Sequence, residues 1–258
     1  MATQAVSDGK IDIGRVIQRG FSTFGRQAGV LLVLALLLTA VPAIVLGLTV
    51  GRQMAAASTD PTAALSMVSS PGYWVTILVN VLCSLLLQAS VVRASILDLR
   101  SERVDIASNL IEALKLLLPM IGLSILTTLI VGIGFVLLIV PGIIALLYLS
   151  VSVPVLVSER LGVTGSMSRS GELTKGTRGR IFLLFLIIGV IYIAVGMVSG
   201  LIATPMMLSG SLTVAVILQS IIGAVSSLIS AVMVASLYVE LRMVKENVSE
   251  QGLAAIFS

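Results

Sequence analysis

Polar and apolar positions are segregated on a scale of tens of residues. Four stretches contain no Asp, Glu, Lys or Arg: 27–51, 61–92, 116–158 and 181–239, of 25, 32, 43 and 59 residues. Bilayer hydrocarbon is about 30 Å thick and a helix rises about 1.5 Å per residue, so roughly 20 uncharged residues cross it. The first run holds one helix, and the second holds one helix after a polar stretch from Pro61 to Gly72. The third and fourth must each hold two helices and a turn. Val140-Pro141-Gly142, and Pro205 with Ser209-Gly210-Ser211, supply the helix-breaking chemistry for those turns. The pattern predicts an all-α polytopic protein with a single membrane domain and spans near 28–50, 73–94, 116–138, 141–158, 181–203 and 212–238. Residues 1–27 form a lead and 239–258 a tail. The first run reads as a retained span, because it exceeds the roughly 7–15 apolar residues of a cleavable signal.

A helical period precedes three of the spans. Ile13, Val16, Ile17, Phe21 and Phe24 share one face before the first, with Arg15, Arg19 and Arg26 among the polar positions. Ile106, Leu110, Ile111 and Leu114 do the same before the third. The stretch from Leu161, richer in Gly, Ser and Thr, is a weaker amphipath. Ile11-Asp12-Ile13-Gly14, Val104-Asp105-Ile106-Ala107 and Leu161-Gly162-Val163-Thr164 align in register, followed by Ile17, Leu110 and Met167. This suggests a threefold repeat of interfacial amphipathic helix plus hairpin. The alternative is three unrelated basic lead-ins that serve orientation alone.

Composition narrows the function classes. Hydrophobic residues make up 57% and charged residues 11% of the chain. A soluble domain carries about 25% charged residues, so there is too little polar surface to clothe a water-facing fold. There is no histidine and one cysteine, Cys83, which excludes a disulfide framework and a His-ligated metal centre. No cofactor or metal is expected.

Of the 16 basic residues, only Arg52 falls in a loop on the side opposite the termini, which predicts cytoplasmic N- and C-termini in an inner membrane. Tyr73 and Trp74 then sit at the outer interface. The same asymmetry explains the basic pI without nucleic-acid binding.

Within the spans, small residues at four-residue spacing read as helix-packing seams: Gly223, Ser227, Ala231 and Ala235 in span six, Gly196 and Gly200 in span five, and Ser124, Thr128 and Gly132 in span three. No ionised side chain falls at a bilayer midplane, which argues against an ion-coupled pump. Asn80, Gln88 and Gln219 are the strongly polar exceptions, and interhelical hydrogen bonding is their simplest role. Pro154 should kink span four beside Glu159, whereas Pro119 occupies a tolerated first-turn position in span three.

The loop from Ser158 to Arg180 is the densest polar stretch. Arg169, Lys175, Arg178 and Arg180, with Arg242 just past the end of span six, are a candidate site for an anion or lipid headgroup, and Glu159, Glu172 and Glu240 are available to pair with them. The alternative is that these cations only fix orientation.

Leu138-Ile139-Val140-Pro141-Gly142-Ile143-Ile144, Pro154-Val155 followed by Glu159, Arg169-Ser170, Leu173-Thr174-Lys175-Gly176 and Tyr238-Val239-Glu240-Leu241-Arg242 occur in that order. In these motifs the chain resembles bacterial six-helix membrane domains named after the glycerophosphoryl diester phosphodiesterases to which some are fused. The resemblance implies a membrane domain without the soluble phosphodiesterase. The expectation is a non-catalytic protein acting in transport of a hydrophobic or lipid-like molecule or in envelope maintenance. A scaffold recruiting partner proteins and a lipid-modifying enzyme are the alternatives. Membrane lipids are the expected partners, with a homo-oligomer or other membrane proteins as further ones.

Overall fold

The structure, a computed structural model, describes residues 11–57, 66, 68–100, 102 and 104–246. Lys10, Arg103, Pro61 and the tail beyond Glu246 lie outside the described residues. Six helical segments are long and apolar enough to cross a membrane: Ile13–Gln53, Pro71–Leu99, Leu117–Leu137, Ile139–Glu159, Arg178–Leu208 and Leu212–Glu246. They are spans one to six of an all-α, multi-pass membrane protein. Two short helices, Ile106–Lys115 and Gly162–Thr174, precede spans three and five. The end of the bundle carrying Ile13 and Glu246 is the terminal end; the opposite end carries Gln53 and Leu212.

The first amphipathic segment is not a separate helix. It continues into span one as a single rod, because no proline or helix-ending glycine intervenes before Pro42. Asp12 caps it, accepting hydrogen bonds from the backbone N–H of Gly14 at 2.9 Å and Arg15 at 3.3 Å. Ile11 and Val16 lie on either side of the cap in one buried cluster, a hydrophobic staple.

Pro42 offers no N–H to the carbonyl four residues earlier. The helix widens to a π turn over Leu36–Ala40, just before that proline, and the Val41 N–H bonds to the Leu36 carbonyl. The Thr39 hydroxyl donates to the Ala35 carbonyl at 2.6 Å.

Asp105 caps the second amphipathic helix through the Ser108 N–H at 2.8 Å, so the aligned Asp12 and Asp105 do the same work. This helix does end, at Leu116, because Pro119 follows in the first turn of span three. The third departs from the pattern. Its register position is Gly162, with φ of 74°, after Arg160, itself left-handed at φ of 52°.

Span four breaks at Leu149–Val151, between the helices Ile139–Tyr148 and Ser152–Glu159, three residues upstream of the expected kink at Pro154. The proline sits in the first turn of the new helix, where its missing N–H costs nothing. The exposed backbone groups are met from the helix Gly162–Thr174. The Ser170 hydroxyl donates to the Tyr148 carbonyl at 2.7 Å and accepts from the Val151 N–H at 3.3 Å. Beside it, Gly171 lies so close to the Tyr148 ring that any Cβ would overlap ring atoms.

The turns differ in detail from expectation. Leu138 alone, in an extended conformation, joins spans three and four, and Pro141 lies inside the following helix. Span five runs through Pro205 to Leu208, since a proline in the last turn removes only one hydrogen bond; the turn itself is Ser209–Ser211, with Gly210 at φ of 83°.

Span six is the hub, packing along span one and against spans two and five. Buried clusters fill the bundle from the terminal end to its middle: Leu31, Leu34, Leu87, Val91, Leu228 and Val232 in one, and Val151, Val155, Leu173, Tyr238 and Leu241 in another.

The small-residue seams need correcting. Nothing lies within 4 Å of a Cβ placed on Gly196, Gly200, Gly223 or Gly132, so none is an intramolecular packing position. Their spacing puts them on one helix face, but those faces look outward or into a void. Of the span-six ladder, Ala231 and Ala235 do pack, each against a buried cluster. Close approach occurs elsewhere: Cβ atoms on Gly47 and Gly51 would meet Val216 at 2.7 Å and Leu212 at 3.0 Å, tying span one to span six.

Candidate functional site

Two polar regions stand out, one at each end of the bundle. At the terminal end the charges are matched. Arg15 and Arg19 on span one reach Glu240 on span six at 3.3 and 3.1 Å, with Glu240 only 1% exposed. Arg26 pairs with Asp98 on span two at 2.5 Å, and the Thr23 hydroxyl donates to the same carboxylate at 3.1 Å. Glu112 gathers Lys115 at 2.5 Å, Arg160 at 3.1 Å and Arg93 at 3.8 Å. Its carboxyl is held below the usual range first by the hydrogen bond from Lys115, then by the Lys115 charge, the hydrogen bond from Arg160 and the charge of Arg93, which together outweigh desolvation.

The last network contains four of the residues named for the candidate site, Glu159, Arg169, Glu172 and Arg242. Glu159 accepts from Arg169 at 3.1 Å and from the Tyr238 hydroxyl at 2.9 Å. The Ser158 hydroxyl donates to Tyr238 at 2.6 Å. Arg169 also pairs with Glu246 and lies 3.6 Å from Glu172, while Arg242 meets Glu246 at 2.8 Å and Glu159 at 3.9 Å. Burial disfavours the Arg169 charge, but Glu159 and Glu246 outweigh it and raise its pKa above the ordinary arginine value. Span four, the helix Gly162–Thr174 and span six are thereby stitched together.

The structure does not bring the four loop cations to one anion site. Arg169 is enclosed by carboxylates. Arg180 donates to the Ile11 carbonyl, and Arg178 lies over the Tyr148 ring at 5.4 Å. Lys175 is exposed and contributes its carbonyl, which accepts from Lys245 at 2.6 Å. Glu240 belongs with Arg15 and Arg19 rather than with this loop. Sequence distance hid these pairings, since the arginines on span one and their carboxylate lie at opposite ends of the chain.

The far half is different. A cleft of about 690 Å³ lies between spans one, two and six, closed in part by Met207 of span five. Its polar lining is Thr39, Asn80, Ser84, Gln219, Ser220 and Ser227, and its apolar lining includes Val50, Leu212 and Val216. Asn80 does make the expected interhelical bond: its amide nitrogen donates to the Pro42 carbonyl and to Thr76, each at 3.0 Å. Both amide hydrogens are then committed and its oxygen remains an acceptor.

The Gln219 side chain makes no hydrogen bond among the described residues, and neither do the hydroxyls of Ser220 and Ser227. Their neighbour Ser226 satisfies itself on the Ile222 carbonyl at 2.8 Å. Gly223, between these residues, leaves open space before them.

A second cavity of about 250 Å³ shares Ser227 with the cleft and extends to Gln88, Ser150 and Pro154, beside the break in span four. Gln88 makes no hydrogen bond among the described residues. Polar positions thus run from the far half toward the terminal network. Sequence reading singled out Gln88, Asn80 and Gln219 but passed over Thr39, Pro42, Ser84 and Ser220. The proline in mid-run was the available signal for the π turn beside the cleft. No family model, curated protein or solved structure matches the chain.

Proposed function

We propose that this chain is a non-catalytic bacterial inner-membrane protein, with both termini cytoplasmic, that accommodates and moves a lipid-like amphiphile. The supporting observation is the cleft of about 690 Å³ between spans one, two and six, within the roughly 300–1,000 Å³ typical of small-molecule sites. A packed scaffold has no use for such a space, and its polar side chains on an apolar wall match an amphiphile. The basic asymmetry supports the orientation, and the resemblance to stand-alone six-helix domains supports a role without hydrolysis. On this reading the paired charges at the terminal end hold the helices while the second cavity leads from the cleft toward the broken span.

Reconstitution tests it. Vesicles carrying the full chain and fluorescent short-chain lipids, one set with charged and one with uncharged headgroups, should exchange at least one of them between leaflets faster than protein-free vesicles, as read by dithionite quenching. Equal rates would overturn the transport reading.

A further inference from the structure

The chemistry of the cleft narrows its occupant, if the preceding reading of an amphiphile site holds. Among the described residues, no Lys, Arg, Asp or Glu lines the cleft or the second cavity that shares Ser227 with it. An anionic headgroup seated against this lining would meet no cation, and a zwitterionic one would also leave its ammonium without a carboxylate. Either leaves an ion facing an apolar wall without a partner, which is unfavourable. The cations at the terminal end are engaged with Glu240, Asp98, Glu112, Glu159 and Glu246, and Arg52, which follows the lining residue Gly51, is exposed and does not itself line the cleft.

What the wall does offer is neutral hydrogen bonding. Gln219 presents both a donor and an acceptor, Asn80 an acceptor, and Ser220 and Ser227 hydroxyls that do not bond back to their own helix. Ser220 lines the cleft and its hydroxyl has no partner among the described residues, so it is free to bond an occupant. The apolar remainder, Val50, Met207, Leu212 and Val216, suits acyl chain. We infer that the cleft binds an uncharged amphiphile whose headgroup carries hydroxyls, of the diacylglycerol or long-chain alcohol kind, and discriminates against phospholipids.

The test uses the full chain in uncharged detergent. A diacylglycerol with a diazirine in one acyl chain is compared with phosphatidylglycerol and phosphatidylethanolamine carrying the same chain. Crosslinked peptides are read by mass spectrometry.

Diacylglycerol should label the parts of spans one and six that line the cleft, at least about tenfold more efficiently than either phospholipid. Gln219→Leu should cut that labelling about tenfold, equivalent to roughly 1.4 kcal/mol. Gly223→Leu, which fills the cleft from a position with no neighbour, should abolish it while leaving the thermal midpoint unchanged.

Equal or stronger labelling by a phospholipid at these peptides would overturn the uncharged-headgroup inference and leave the amphiphile reading standing. Undiminished diacylglycerol labelling in both variants would also overturn it. No labelling of the cleft by any of the three lipids would sink both.

Discussion

The terminal end and the far half of the bundle are both polar, but they use polarity in opposite ways. At the terminal end, Glu240, Asp98, Glu112 and Glu159 each meet at least one cation, and Tyr238, Arg242 and Glu240 are buried among them. The polar groups that line the cleft in the far half are neutral, and the side chains of Gln219, Ser220 and Ser227 bond to nothing among the described residues. A buried charge cannot be left unpaired, so ionic groups are used where the fold must be fixed. A neutral amide or hydroxyl costs less to leave waiting, so it is the group that can serve a ligand.

The sharpest way to break this contrast is to remove one charge from the terminal end. Glu240→Ala leaves Arg15 and Arg19 without their common partner in a buried setting and should destabilise the folded bundle by about 3–5 kcal/mol. Thermal unfolding in detergent would read it, and a midpoint close to that of the unaltered chain would mean the pair is ornamental.

A smaller loss is expected at the broken span. Gly171→Ala forces a methyl into the Tyr148 ring and should cost about 1–3 kcal/mol by overpacking, whereas Gly223→Leu in the cleft should cost nothing. The two glycines look alike in sequence and separate the two regions by experiment.

Ser170→Ala removes the hydroxyl that serves both Tyr148 and Val151, for about 1 kcal/mol. Hydrogen exchange at Val151 should rise with it, and unchanged protection would detach Ser170 from the break.

The smallest effect is a pH dependence. Glu112 has its folded pKa lowered, chiefly by the Lys115 hydrogen bond, so its contribution is full above its unfolded value and disappears as pH falls through the folded one. Stability measured across that acid range should slope less in Glu112→Gln than in the parent chain. An identical slope would remove Glu112 from the set of groups that hold the end together.

The spans were legible because hydrocarbon excludes charge so strictly that its absence from 116–158 and 181–239 needs no further pattern. Asp12 and Asp105 were also visible in register, and both turned out to be helix caps. The cleft was not legible. A residue without a side chain can serve a close neighbour or a void, and four-residue spacing is the same for both, so Gly223 and Ala231 belong to one ladder with two fates. Nor did Pro154 announce where its helix would part, since the compensating Ser170 lies on another helix and serine is common. The loop cations were recognised as a group, yet their partners were set by tertiary packing, which joined Arg169 to Glu246 and sent Arg180 to Ile11.

Native mass spectrometry of the chain released from mild detergent tests the central claim most directly, because it asks whether the uncommitted half holds something. The account predicts a retained lipid-sized adduct on the unaltered chain and its loss in Gly223→Leu at unchanged thermal stability. An adduct retained at full occupancy in Gly223→Leu, or none on the unaltered chain, would contradict it.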